Sequence, residues 1–314
     1  VTRRRLPLPH SDLLVLLLVL GALVALFGLG TRGFLGAASL GSIANRIPAL
    51  LLVSTGMTLL MVTGGIDLSV GSVLGLCGAV TGVLMVDASW GLGAALAASV
   101  ALGALAGGIN GLISVKLHLP SFIVTLGMLE IARGLAFLVT GSQTEYIGAA
   151  VEGLGAPIAG WVVSPAFLVA VAVAGLGQLL LSRTVFGRRL VAVGANPEAA
   201  AISGIAIDPP RLGAHALLGG LTGLAAVVNC SRLGSADPNA GVGFELSVIA
   251  AVVVGGTSLR GGRGSVLKTA LGVLIVATLE AGLVQMGASE PLKRVATGCV
   301  IVAAVLADTW RRRT

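Results

Sequence analysis

Apolar runs of about 17 to 25 residues recur along the whole chain, and no other feature constrains the fold so strongly. Each run is long enough to cross a hydrocarbon core of about 30 Å as a helix. Charged residues make up 11% of the 314 residues and hydrophobic ones 56%, whereas about 25% charged is usual for a soluble domain. No stretch is left over for a water-soluble domain. The chain therefore reads as an all-α, polytopic transmembrane bundle forming one domain over 1–314.

Ten spans are expected, at about 13–30, 47–63, 70–86, 91–114, 121–139, 161–181, 212–229, 245–256, 266–284 and 294–308. The first follows TRRRLPLPHSD, as a signal peptide would, but its apolar run exceeds a signal core of about 7 to 15 residues, so it reads as an uncleaved span. An even count puts both termini on one side. Lys and Arg of short loops are retained in the cytoplasm. That bias assigns 1–12 (with Arg3, Arg4 and Arg5), 182–211 and 309–314 to the cytoplasm, leaving Arg32, Arg46, Arg232, Lys293 and Arg294 outside. Orientation thus accounts for the net charge of +7, and a nucleic-acid partner is not implied. Cys77, Cys230 and Cys299 lie apart in apolar segments and read as core residues. His10, His118 and His215 read as unrelated polar residues near segment ends, with no metal site.

Within this apolar text, MVTGGIDLSVGSVLGL (61–76) sets Asp67 among glycines. A carboxylate at a helix centre costs about 2.5 to 3.5 kcal/mol, so Asp67 must be solvated, capped or paired. It can cap the third span by accepting from the amides of Ser69 and Val70 at a glycine-permitted break, or it can take part in gating or in contact with hydroxyls of a solute. The stretch has a counterpart, VVVGGTSLRGGRGSVLKT at 252, in which Gly-Gly is again followed by Gly-Ser-Val-Leu entering a span. Paired Gly-rich interruptions in two related halves are the pattern of transporters with broken or re-entrant helices. The span count puts both on one side, as in a parallel repeat; an inverted one would need a re-entrant segment.

Two further stretches carry polar residues. In LGMLEIARGLAFLVTG, Glu130 and Arg133 are three apart, which places them on one helix face and predicts an ion pair turned from lipid, either at a substrate path or as a tie between helices. In SRTVFGRRLVAVGANPEAAAISGIAIDPPRL (182–212), Asn196 can cap a helix begun by Pro197, with Glu198 at its positive end and Gly204 at its exit. A helix of about two turns cannot stand alone and must dock, on its own protein or on a cytoplasmic partner.

GGIDLSVGS, the Asn110-Gly111 pair, LPSFIVTLG, FGRRLVAVGANPEAAAISGI and above all SRLGSADPNAGVGFELSVIAAVVVGGTSLRGGRGSV resemble, in order from about Phe34 to Asp308, the permease subunits of bacterial ABC importers for ribose, xylose, galactose and related monosaccharides. The resemblance implies a permease working as a pair in the inner membrane, with a cytoplasmic ABC ATPase and an extracytoplasmic sugar-binding protein, and with no cofactor. It makes the segment from Gly187 to Gly204 the ATPase contact, with Gly187, Arg188, Arg189, Asn196, Glu198, Ile202 and Gly204 as coupling residues. Asp67, Ser69, Asn110, Thr125, Glu130, Arg133, Asn229 and Glu280 are the candidates for a substrate path or gate. One stretch departs from the family pattern: where an asparagine-rich NNGLN-like segment is usual, this chain has LEAGLVQMG, with Glu280 and Gln285. Permeases for branched-chain amino acids and for the furanone-type autoinducer are near neighbours.

The chain contains no GxxxxGK[ST], so ATP would be handled by another protein. An ion-coupled secondary transporter titrating Asp67, Glu130 and Glu280 is the alternative. An intramembrane enzyme finds no support, because Ser/His pairs, HExxH and a carboxylate dyad at workable spacing are all missing from the sequence.

Overall fold

A computed structural model describes residues 9–31, 33–158 and 163–313. Its elements in order are α1 (Pro9–Gly30), α2 (Ala37–Val62), α3 (Val70–Val86), α4 (Leu92–Lys116), α5 (Ser121–Val139), β1 (Glu145–Tyr146), α6 (Ala149–Glu152), α7 (Pro165–Arg183), α8 (Val185–Ala195), α9 (Pro197–Ile202), α10 (Asp208–Leu233), β2 (Ser235–Ala236), α11 (Phe244–Val254), α12 (Val266–Gln285) and α13 (Glu290–Arg313). Seven of these, α1, α2, α4, α5, α7, α10 and α12, are long and apolar enough to cross a membrane. The protein is a multi-pass, all-α membrane protein, and the antiparallel pairing of β1 with β2 over two residues each does not change that class.

α2 lies at the centre. Its most apolar window is 78% buried, against 11% for α1, so α2 is the axis of the core and α1 is peripheral. A helix buried on all sides needs small or self-satisfied polar residues, and α2 has them. Thr55 and Thr58 return their hydroxyls to the carbonyls of Leu51 and Ser54, and Thr58 Oγ1 also meets Thr269 Oγ1 of α12 at 2.8 Å. α2 begins ten residues before the expected 47–63, with Pro48 inside it, so Arg46 is a helix residue and not a loop residue. α4 and α10 cross closely because Gly103 and Gly107 face Gly219 and Gly223; a Cβ on any of the four would strike the partner's backbone.

The segment after α10 does not stand out as a loop. Gly71, Gly75, Gly78 and Gly82 form a stripe along one face of α3. Backbone from the far end of the bundle lies in that stripe: Ala236 beside Gly82, Pro238 and Ala240 beside Gly75, Gly241 against Gly71. The path follows α3 for about 16 Å at 1.5 Å per residue. α11 therefore starts inside the bundle, its first-turn Ser247 bonding Glu280 short of the C-terminal end of α12. This corrects the expected span at 245–256: α11 has 11 residues, about 16 Å, and by itself cannot cross a core of about 30 Å.

The expected cytoplasmic loop 182–211 is also more structured than read. α8 occupies its first half, with Leu190 and Val193 fully buried, and α10 already begins at Asp208, taking in Arg211. The residues at 1–8 and 314, with Arg3, Arg4 and Arg5, lie outside the described residues, as does Arg32.

Candidate functional site

Residues 63–69 join α2 to α3: the amides of Thr63, Gly64 and Gly65 still bond carbonyls of Leu60 and Met61 in the last turn of α2, but those that follow need other acceptors. Side chains supply them. Ile66 N–H donates to Ser121 Oγ at 2.9 Å and Leu68 N–H to Thr125 Oγ1 at 3.0 Å, both hydroxyls lying in the first turns of α5. Ser69 N–H donates to Asp67 Oδ1 at 2.8 Å, and the Ser69 hydroxyl to the same oxygen at 2.6 Å. The other carboxylate oxygen, Oδ2, accepts from Asn110 Nδ2 of α4 at 3.1 Å and has His215 Nδ1 of α10 at 3.8 Å. Asn110 Nδ2 also reaches Ser69 Oγ at 3.0 Å.

Asp67, Ser69, Asn110 and His215 are each no more than 2% exposed. Three donors and an imidazole solvate the carboxylate inside the protein, which removes the cost of placing it there. Asp67 accepts from the amide of Ser69 but not from that of Val70, and Ser69 holds the N-cap position of α3. The centre therefore does more than end a helix: it ties the break to α4 and α10. His215, read from the sequence as an isolated polar residue, is part of it. The signal that could have found it is the match of Gly107 and Gly111 with the backbone and side chain of His215, glycine spacing that draws α10 against α4. Asn110 Oδ1 and His215 Nδ1 make no hydrogen bond among the described residues, so this polar group has unused capacity.

The expected ion pair between Glu130 and Arg133 is not formed. Arg133 Nη1 instead donates to the carbonyls of Pro238 and Ala240, at 2.7 and 2.9 Å. One guanidinium nitrogen carries two N–H donors and reaches both carbonyls, which no other hydrogen bond among the described residues satisfies along α3. Glu130 stays exposed on the same face of α5 as Ile123, Leu126, Ile131 and Leu138.

Asn229 and Glu280 lie elsewhere, on a cavity of about 380 Å³ between α2, α10, α11, α12 and α13. Glu280 Oε1 accepts from the Ser247 hydroxyl at 3.1 Å, and Asn229 Oδ1 from Arg232 Nη2 at 3.2 Å. Arg46, Arg232, Lys293 and Arg294 line the same cavity. Gln285 does not: it bonds Ser39 at 2.6 Å and Thr31 at 3.4 Å, joining helix ends. The eight predicted path residues thus divide into a buried group (Asp67, Ser69, Asn110, Thr125), the α5 pair, and two residues on the cavity.

At the end of the bundle where α2 finishes, α8, which leads into α9, meets the second Gly-rich break, 255–265. Gly262 N–H donates to Val62 O at 2.8 Å, and Gly194 packs against that carbonyl and Gly262. Both breaks therefore lie at one end and touch. α9 has the expected caps: Asn196 Oδ1 accepts from Ala199 N–H at 2.9 Å, and Gly204 leaves the helix at φ +79°. Arg188, Arg189, Glu198 and Ile202 are exposed, Ile202 at 89%. Gly187 is a correction: it is buried against the carbonyls of Leu180 and Leu181, so it sets the α7–α8 corner and presents nothing to a partner. Among the described residues no group of three or more His, Cys, Asp or Glu could hold a metal ion.

Comparison with known proteins follows the same lines. The profile of the family described as branched-chain amino acid transport system / permease component matches residues 39–305. The ribose import permease protein RbsC of Escherichia coli K12 is 36% identical over 310 residues, covering 95% of this chain and 93% of the relative. RbsC of Bacillus subtilis 168 is 40% identical over 271 residues, covering 82% and 80%. The autoinducer 2 import system permease protein LsrC of Enterobacter sp. 638 is 36% identical over 275 residues, covering 87% and 78%. No solved structure matches the chain.

Proposed function

The chain belongs to the family of branched-chain amino acid transport system permease components, and from that membership we propose that it is the membrane-spanning subunit of an ABC importer that passes a monosaccharide of the ribose type. The observation that carries this reading is near-full-length similarity to ribose import permeases from two bacteria. The permease has no chemistry of its own; a separate cytoplasmic ATPase drives it and an extracytoplasmic binding protein delivers the sugar. Both termini lie in the cytoplasm. Ten crossings are made, with α3 and α11 as the short ones, each preceded by irregular backbone that is held within the protein.

A second copy packs on the exposed face of α5. Glu130 is the tenth of 19 residues in that helix, and a carboxylate facing lipid at such a depth would cost about 2.5 to 3.5 kcal/mol. Against a second copy it borders a polar path instead. The Asp67 centre, closed and with both carboxylate oxygens bonded, acts as the fixed point about which α3 meets α4 and α10, while sugar contacts fall to residues nearer the α5 face.

α8, α9 and the 258–263 turn make one continuous surface for the ATPase, with Ile202 as its apolar anchor and Arg188 and Arg189 as orienting charges. In membrane vesicles, uptake of labelled ribose should depend on ATP and persist when ion gradients are collapsed. Uptake that follows an ion gradient without ATP defeats the reading. The similarity to the autoinducer 2 permease supports a second substrate, and competition of labelled ribose uptake by autoinducer 2 decides between them. Ile202→Asp should leave the permease inserted but abolish ATP-driven uptake; normal co-purification with the ATPase and normal uptake would remove α9 from the coupling surface.

A further inference from the structure

The cavity between α2, α10, α11, α12 and α13 has a charge that a neutral sugar does not explain. Arg46, Arg232, Lys293 and Arg294 line it, with Glu280 as the one acidic lining residue. Arg46 and Arg232 are close enough for their like charges to repel. Among the described residues Arg46, Arg232 and Arg294 make no ion pair within 4.0 Å, and Arg294 feels the charge of Glu245 from farther off. Arg46, Arg232 and Arg294 present their side chains openly on the cavity wall, and cations gathered on one wall between membrane helices attract an anion, which relieves their mutual repulsion.

The same cavity has an apolar side. Leu50, Phe244 and Ile301 line it, and Val242 and Leu246, also on it, are 54% and 50% exposed. Arg232 lies in the last turn of α10 and Lys293 and Arg294 in the first turns of α13, the level of helix ends, where phospholipid headgroups lie, while Arg46 reaches the cavity from the third turn of α2. A planar guanidinium fork matches phosphate oxygens in a two-point contact, which a sugar hydroxyl does not return.

We propose that this cavity binds a phosphate group carried by an amphiphile, the headgroup of an anionic phospholipid, with the guanidinium groups of Arg46 and Arg232 on the phosphate and an acyl chain along the Leu50, Phe244 and Ile301 wall. Its occupant neutralises the cluster and joins α13 to α2 and α10. The site is independent of which solute is transported.

The test uses the full chain, purified in a neutral detergent, with binding followed by thermal stability and by native mass spectrometry. Dioleoylphosphatidylglycerol should bind saturably and raise the melting temperature. Dioleoylphosphatidylcholine, whose phosphate is neutralised by its own choline, should not, and inorganic phosphate should bind at least about tenfold more weakly than the anionic lipid. Arg46→Gln with Arg232→Gln should weaken phosphatidylglycerol binding by at least about tenfold, while Lys116→Gln with Arg183→Gln, at the other end of the bundle, should not. Arg46→Lys with Arg232→Lys keeps the charge and should retain binding within a few-fold, which serves if the glutamine pair does not purify. Equal effects of the two lipids, or undiminished binding in the glutamine pair, would overturn the site. Inorganic phosphate binding as tightly as the lipid would overturn the amphiphile and leave a soluble anion as the ligand.

Discussion

The two Gly-Gly breaks are alike in sequence and unlike in how they are held. Both follow a buried apolar helix, both leave it through a glycine of positive φ (Gly64 at +85°, Gly256 at +83°), and both end at a serine that begins the next helix. In the first break the amides of Ile66, Leu68 and Ser69 are taken by side chains, Ser121 and Thr125 of α5 and the carboxylate of Asp67, which is itself bound to α4 and lies against His215 of α10. At 255–265 the backbone satisfies itself. Ser258 N–H bonds Arg263 O at 2.9 Å, Gly261 N–H bonds Ser258 O at 3.1 Å, and Ser265 caps α12. Arg260 and Arg263 stay exposed. One motif therefore makes an internal junction in the first half and a surface turn in the second. The difference follows from position: helices surround the first break, while the second has solvent on one side and can offer cations to a partner.

The largest effect that would sharpen this contrast is at Asp67. A helix cap alone is worth about 0.5 to 2 kcal/mol. Asp67→Leu, however, strands the Ser69 amide, the Ser69 hydroxyl and Asn110 Nδ2 in a buried site, at about 1 to 3 kcal/mol each. We expect a loss of about 3 kcal/mol or more in thermal unfolding of the detergent-solubilised protein, with Asp67→Asn recovering most of it. A loss within the range of a cap would show that the junction is no more than a helix start.

Thr125→Val comes next. It keeps shape and removes the acceptor of the Leu68 amide, for an expected cost of about 1 to 3 kcal/mol. If its melting temperature equals that of the parent, α5 does not hold the break. Smaller again is Ser265→Ala at the second break, expected at about 1 kcal/mol as an ordinary cap. Gln178 already bonds Leu267 N–H at 3.2 Å and backs that helix start, so an effect as large as that of Asp67→Leu would erase the distinction between the two breaks. The smallest stability change is expected for Arg260→Gln with Arg263→Gln, within about 0.5 kcal/mol, as for other surface substitutions. ATP-driven uptake in that variant should nonetheless fall, because these exposed charges belong to the turn that packs on the end of α8 at Gly194 and Ala195. Unchanged uptake would leave the second break as a turn and nothing more.

The apolar helices were legible in the sequence because each carries its signal locally, in length and composition. So was α9, whose cap, first proline and exit glycine lie within nine residues, 196–204. What was not legible depended on a second segment. The Glu130–Arg133 pairing rested on spacing within one helix, and the carbonyls of Pro238 and Ala240, more than a hundred positions away, took the guanidinium instead. That the helix expected at 245–256 starts inside the bundle was not legible, because hydropathy does not reveal that backbone can descend along a glycine stripe. That stripe, at 71, 75, 78 and 82, was itself on the page as a period, and what it would admit was not. Gly187 resembled a contact residue by its motif and proved to be a packing position.

By itself, then, the sequence determined that this protein lies in a membrane as a bundle of helices, that it is interrupted at two related glycine-rich places, and that Asp67 must be solvated by the protein if it is to be buried. Those conclusions need only transfer energies and local hydrogen-bonding rules, which act over a few residues. Only the tertiary structure decided who solvates Asp67, which carbonyls Arg133 holds, and which cations gather around one cavity from helices beginning or ending far apart in the chain. Such pairings are set by which helix faces meet, and close crossings such as that of Gly103 and Gly107 with Gly219 and Gly223 select those faces through packing across long separations.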